Sequence, residues 1–176
     1  MRILGEEAIA LVVDYQENLV PVLSDRESLI DRSQILLQGL KILSIPMIIT
    51  QQYTKGLGTT VESLVAIVGT EDYIEKISFS AYEQVKDKIA GKKFVIVCGI
   101  ESHICVLQTV IDLAAAGYVP VVVEDCISSR QKNDKEIALK RMSQEGAIIT
   151  TSESLLFELL RVAGTDTSKK IQRLIK

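Results

Sequence analysis

Three residues able to do nucleophilic chemistry each lie at or just beyond a short apolar run. Asp14 follows Ala8 to Val13, Lys76 falls within Tyr73 to Ile77, and Cys105 follows Phe94-Val-Ile-Val-Cys98 by a short polar turn, Glu101-Ser-His103. A cysteine in the first turn of a helix meets unpaired N–H groups and the positive end of the helix dipole, which favour thiolate over thiol. A lysine beside it would lower the thiol pKa further, and an aspartate could take the proton and later activate water. On this reading Cys105 is the one cysteine expected to alkylate quickly at neutral pH. The residues alone leave other roles open: a small buried apolar cysteine, an aspartate capping a turn, a solvated lysine.

Other chemistries fit less well. The one histidine, His103, stands two residues before Cys105, and residues two apart on a helix do not face each other. A Cys–His dyad is therefore not expected, and His103 is assigned to the rim or an interface. A lone histidine also argues against a nitrogen-rich metal site. Gly56-Leu-Gly58 lacks the following Lys-Ser/Thr or third glycine of a phosphate loop. Three cysteines without a CxxC pair suggest neither a disulfide framework nor a thiolate zinc site, and Cys98 and Cys126 are read as packing residues.

The elements that must position these groups alternate between strand and helix. Strands are expected at Ala8 to Val13, Met47 to Thr50, Tyr73 to Ile77, Phe94 to Cys98, Val119 to Val123 and Ala147 to Thr150. Helices are expected over roughly 25 to 44 behind the capping box Ser24-Asp-Arg-Glu27 and to about Val68 behind Thr59-Thr-Val-Glu62. Further helices run from Ser80-Ala-Tyr-Glu83 to Gly91, from the turn before Cys105 to Gly117, from Asn133-Asp-Lys-Glu136 to Gly146, and from Ser152 or Ser154 to near Gly164. Thr54 to Gly58 reads as a loop, and the basic tail Lys169 to Lys176 as an amphipathic helix packed on the body. Such alternation implies a parallel sheet covered on both faces, a three-layer α/β/α sandwich in one domain spanning residues 1–176. Ligands bind such folds at the carboxyl ends of the strands, where Asp14, Gln51, Gln52, Lys76, Cys105 and Asp125 are expected.

Composition narrows the partners. A net charge of −3 gives no footprint for a phosphate backbone, so nucleic acid is not expected. A hydrophobic content of 47% in 176 residues, with a mean hydropathy of +0.24, suggests apolar surface covered by a second copy, hence a homo-oligomer of dimers or higher. No apolar run approaches membrane-spanning length and the N-terminal residues lack a signal-peptide core, so the expected compartment is the cytoplasm.

At this point the chain resembles the isochorismatase-like cysteine hydrolases. The matching pieces are Val12-Val-Asp14-Tyr-Gln, Lys76 ahead of Ser80-Ala-Tyr, Cys98-Gly-Ile-Glu-Ser-His-Ile-Cys105 with Thr109-Val-Ile-Asp-Leu, Gly117-Tyr and Val123-Glu-Asp125-Cys. Within that family it looks closest to the isochorismatase-domain-containing subgroup, through Thr50-Gln-Gln-Tyr-Thr-Lys-Gly-Leu-Gly58, Cys126-Ile-Ser-Ser-Arg130, Arg141-Met-Ser-Gln-Glu-Gly-Ala and Thr151-Ser-Glu. The resemblance implies an Asp14–Lys76–Cys105 triad, a Rossmann-like six-stranded sheet of order 3-2-1-4-5-6, and hydrolysis of small C–N bonds through a thioester. It also implies a cis peptide between Ile100 and Glu101, with the amides of Glu101 and Cys105 forming an oxyanion hole.

Two departures bear on the substrate. Nicotinamidases of this family hold a metal with an aspartate and histidines after the second strand, where this chain has Gln51-Gln52-Tyr53, so no metal or other cofactor is expected. Isochorismatases proper lack the nucleophilic cysteine. The expected activity is thus a metal-independent cysteine amidohydrolase acting on a small molecule, with Tyr15, Gln52, Tyr53, Tyr82 and Arg130 lining the pocket. The competing readings are a catalytically silent interaction protein that keeps the fold, and a ribonuclease, an activity attached to some of this subgroup that the charge and the lone histidine do not support.

Overall fold

The computed structural model describes residues 1–23, 25–69 and 72–176. Six strands form one sheet: β1 (Ala8–Val13), β2 (Met47–Gln52), β3 (Tyr73–Lys76), β4 (Phe94–Ile100), β5 (Val119–Ser128) and β6 (Ile148–Thr150). Every pairing is parallel and the order is β3-β2-β1-β4-β5-β6. The apolar β1 and β4 lie side by side at the centre and are buried along their whole length. They feed both faces, as strands covered on two sides must.

Alternate residues divide between two apolar layers. Ala8, Ala10 and Val12 with Phe94, Ile96 and Cys98 face the helices α1 (Arg26–Ile42), α3 (Glu62–Val68), α7 (Ser152–Leu160) and α8 (Asp166–Ile175). Ile9, Leu11 and Val13 with Val95 and Val97 face α4 (Tyr82–Ile89), α5 (Leu107–Ala115) and α6 (Lys132–Gln144). The amphipathic tail docks as expected, with Ile171 of α8 fully buried in the first layer.

Some boundaries differ from the expected ones. β2 and β4 each run two residues further, and β5 runs through Glu124 and Asp125 to Ser128. Beyond Val97↔Val122 the next register pair is Gly99↔Ile127, two steps on β4 against five on β5. Cys126 therefore lies within a strand, not after it. Thr54–Leu57, expected as loop, makes one helical turn, α2. The capping box starting at Ser24 lies outside the described residues. Neither Thr59 nor Asn133 caps its helix: Val61 and Gln131 hold those places without side-chain caps, and Asn133 lies inside α6. Real caps are Thr151 and Thr165, whose hydroxyls accept from the amides of Ser154 and Ser168. Among the described residues no helix is long and apolar enough to cross a membrane.

Candidate active site

The site lies where β1 and β4 end side by side, at the reversal of strand order. β1 stops because Asp14 adopts φ +52°, a left-handed conformation that aspartate tolerates better than most residues. Its neighbour β4 comes unusually close at Gly99, where a Cβ would stand 2.1 Å from the Val13 carbonyl oxygen. Only glycine fits there. Beyond it the Ile100–Glu101 peptide is cis, and Ser102–Val106 form a π-helical turn leading into α5.

Asp14 is completely buried. Its Oδ1 accepts a hydrogen bond from the Thr50 hydroxyl at 2.8 Å, and Oδ2 lies 2.6 Å from Lys76 Nζ. That second oxygen has no donor aligned on it as a hydrogen bond among the described residues. Lys76, the last residue of β3, donates to Gln52 Oε1 (2.8 Å) and to the carbonyls of Phe79 (2.8 Å) and Ser78 (3.2 Å). An ammonium has three hydrogens and here finds three acceptors and a counter-ion, which is what makes its burial tolerable.

Cys105 sits in the π-helical turn and is 5% exposed. The amides on either side of it, of Ile104 and Val106, both donate to the Glu101 carbonyl. Thr109 braces the turn: its hydroxyl donates to the Cys105 carbonyl at 2.7 Å and accepts from the Ala81 amide at 2.9 Å. It so ties the cysteine to the segment whose carbonyls hold Lys76.

The thiol is not acidic at rest. Burial pushes Cys105 up to about 12, the Asp14 charge adds to the rise, and Lys76 only partly opposes it. The expected thiolate at neutral pH is therefore corrected to a thiol. Lys76 cannot act as an isolated cation because Asp14 answers its charge at 2.6 Å, and desolvation outweighs what remains.

The residues expected around the pocket separate. Tyr15 is a core residue, fully buried in the layer opposite Cys105, with its hydroxyl donating to the Cys126 carbonyl and paired with Ser33 Oγ at 2.7 Å. Its place beside Asp14 in sequence misled, because the left-handed Asp14 ends the alternation of β1, which continued from Val13 would have put Tyr15 in the Cys105 layer. Gln52 is buried against Lys76. Tyr53 is half exposed at φ +39° and covers Gly56. Tyr82 is partly buried and meets Tyr118 edge-on, with ring centres 6.4 Å apart. Arg130 binds Glu101 Oε1 through its backbone amide (3.0 Å) and Nε (3.1 Å), fixing the turn before the cysteine. His103 pairs with Ser129 through Nδ1 at 2.9 Å. Asp125 is not a rim group: its carboxylate accepts from the amide and hydroxyl of Ser152 at the start of α7.

Gln16, Thr50 and Thr109 carry positioning bonds that the sequence reading did not assign. The available signal was a polar residue at the carboxyl end of a strand, or facing the core from a helix, with nothing local to bond. The amides in the place of the nicotinamidase ligands are engaged elsewhere, Gln51 with Thr54 and Thr60, Gln52 with Lys76 and Ile77. Among the described residues no three His, Cys, Asp or Glu side chains are grouped to hold a metal ion.

Known proteins share this fold. An isochorismatase domain matches residues 8–154. Isochorismatase domain-containing protein 1 of Danio rerio is 38% identical over 167 residues, covering 93% of this chain but 59% of that longer protein. A solved structure of MAR1 ribonuclease from Caenorhabditis elegans superposes with a TM-score of 0.94 at 38% identity, covering 99% of this chain and 92% of that one. The YcaC gene product of Escherichia coli, described as an octameric hydrolase of unknown specificity, gives a TM-score of 0.86 at 27% identity, covering 92% and 83%. With the domain matched over most of its length, and its sheet order and helical layers those of isochorismatase-like structures, the chain belongs to the isochorismatase family.

Proposed function

We propose that the protein is a metal-independent cysteine hydrolase that cleaves a C–N bond of a small amide or related compound, as a single domain, with Asp14, Lys76 and Cys105 as its catalytic residues. The observation that carries this reading is the Asp14 carboxylate: buried, paired with Lys76 at 2.6 Å, and keeping Oδ2 free of an aligned donor. Such an oxygen can receive a thiol proton. A thiol raised to about 12 needs that base.

In the first half-reaction Asp14 takes the Cys105 proton as Sγ attacks the carbonyl carbon. The amides of Glu101 and Cys105 receive the oxyanion. Asp14 then passes the proton to the leaving nitrogen, the C–N bond breaks, and an acyl thioester remains. In the second, Asp14 deprotonates a water that attacks the thioester. The S–C bond breaks, the acid leaves, and the proton returns to Cys105. Lys76 stays paired with Asp14 and balances its charge whenever the proton is elsewhere. Metal independence is supported by the side-chain amides of Gln51 and Gln52 at the end of β2, which are neutral donors and acceptors bonded within the protein.

The test is incubation with a panel of small amides and ureides, with intact-mass detection of an acyl adduct. The adduct should form on the wild type and be missing from Cys105→Ser; a panel that acylates both or neither removes the reading. The name of the Caenorhabditis elegans relative favours a second reading, RNA hydrolysis. The net charge of −3 and a sole histidine engaged with Ser129 speak against it, and salt-sensitive RNA binding would restore it. A homo-oligomer is supported by Ile77 (70% exposed) and Phe79 (52% exposed) next to Lys76 and by the octameric relative. Sedimentation as a monomer at micromolar concentration would refute it. All three cysteines are free, which fits a reducing compartment, and we assign the protein to the cytoplasm.

A further inference from the structure

β1 turns out of the sheet at Asp14, one residue after Val13 pairs with Thr50, but β2 continues and pairs Gln51 and Gln52 with Glu75 and Lys76 of β3. The β1-facing edge of Gln52 would then lack a backbone partner. The side chain of Gln16 takes that place. Its Oε1 accepts from the Gln52 amide at 2.7 Å and its Nε2 donates to the Gln52 carbonyl at 2.9 Å, so one side-chain amide binds both backbone groups that a neighbouring strand would otherwise bind. Nε2 also donates to the Gly58 carbonyl at 2.7 Å, and Gln16 is fully buried.

Gln52, held this way, has a fixed orientation of its own. Its Nε2 donates to the Ile77 carbonyl at 2.7 Å, so its Oε1 is left facing Lys76 Nζ at 2.8 Å. Of the three hydrogen-bond acceptors around the ammonium among the described residues, Gln52 supplies the side chain; the other two are the carbonyls of Ser78 and Phe79. We infer that Gln16 and Gln52 are positioning residues for Lys76: Gln16 splints the end of β2, and Gln52 aims the ammonium at Asp14. A neutral amide is suited to this task. It takes one hydrogen of the ammonium without competing with Asp14 for its charge, whereas a carboxylate would compete and an alkyl chain would leave a buried N–H without an acceptor.

This inference rests on the proposed triad, and its test needs no substrate. Alkylation of Cys105 by iodoacetamide at one fixed, mildly alkaline pH reports the influence of Lys76 on the thiol, with peptide mapping to separate the three cysteines. Gln52→Met and Gln16→Met should each slow Cys105 labelling roughly threefold to tenfold, the effect of about one unit of thiol pKa after its offset by nucleophilicity. The double variant should lose little more than either alone, because Gln16 acts through Gln52. In a Lys76→Met background, Gln52→Met should change nothing. Equal slowing with and without Lys76 would overturn the inference, as would faster labelling of Cys98 and Cys126, which would show a loosened fold. Should Gln52→Met fail to fold, Gln52→Glu preserves the shape and should slow labelling by drawing Lys76 from Asp14; an unchanged rate there overturns it too. If Lys76→Met alone leaves the rate unchanged, the triad reading falls as well, and the two failures are told apart by that single variant.

Discussion

Two regions of the molecule hold thiols, and the contrast between them shows what makes a cysteine usable. Cys98 and Cys126 lie in the layer that packs on α1, next to Tyr15, with no exposure. Cys105 lies at the rim on the other side of the sheet. Burial pushes all three upward, Cys98 and Cys105 each to about 12 and Cys126 well above its ordinary value. Acidity at rest therefore does not single out the proposed nucleophile. The difference is the company: Cys105 has a buried carboxylate paired with a lysine, whereas Tyr15 beside Cys98 is itself pushed well above 10.0 by burial and takes no proton at neutral pH, and the Asp125 carboxylate 3.8 Å from the Cys126 sulfur is engaged by the amide and hydroxyl of Ser152. In the proposed reaction a base beside the thiol replaces a low pKa.

The largest effect expected from this contrast is on Asp14. Asp14→Asn keeps the shape and removes the proposed base, and acyl-adduct formation should slow roughly 10²- to 10⁴-fold, the usual contribution of a positioned general base. Retained rates would mean that the rim thiol is no better served than the interior ones. The next effect is on pH. Cys105 alkylation should climb about tenfold per pH unit from neutrality toward 12 without an earlier plateau, since the rate follows the thiolate fraction. A plateau near pH 8 would show an acidic thiol. Stability should move the other way. The folded-state values of Cys98 and Cys105 rise from 9.0 to about 12, so their neutral forms stabilise the fold fully below pH 9, and that contribution is lost as pH rises toward 12. Urea midpoints measured across this window check the sign.

A smaller effect tests the closeness of the two central strands. Gly99→Ala would place a Cβ 2.1 Å from the Val13 carbonyl oxygen, at a φ of +138° that side chains avoid. The loss should be about 3 kcal/mol or more in urea unfolding, because backbone rather than a flexible side chain must give way. Cys105 labelling should change with it, as Asp14 follows Val13 directly.

Much of this arrangement was legible in the sequence. The strand order, the helices and the grouping of Asp14 with Lys76 follow from apolar runs and a family pattern, because burial on both faces leaves a strong signal at β1 and β4. Strand ends were less legible. Gln51, Gln52, Glu124 and Asp125 read as the polar ends of their strands, yet each lies within one, and a side chain elsewhere satisfies it, as Ser152 does for Asp125. The acidity of Cys105 was misjudged for a related reason: the charge of Lys76 was visible in the sequence, but its neutralisation at 2.6 Å by Asp14 was not.

The smallest expected effect separates core from pocket at Tyr15. Its hydroxyl bonds to the Cys126 carbonyl and Ser33, wholly within the layer that faces α1. Tyr15→Phe removes one oxygen and leaves two buried polar groups short of a partner, which costs about 1 to 3 kcal/mol. The adjacent residue is Asp14, so a change transmitted along the backbone would reach the site, whereas one confined to the layer would not. The expectation is a lower urea midpoint, somewhat faster labelling of Cys98 and Cys126, and an unchanged rate at Cys105. Equal stability with slowed Cys105 labelling would return Tyr15 to the pocket and undo the separation of the two thiol regions.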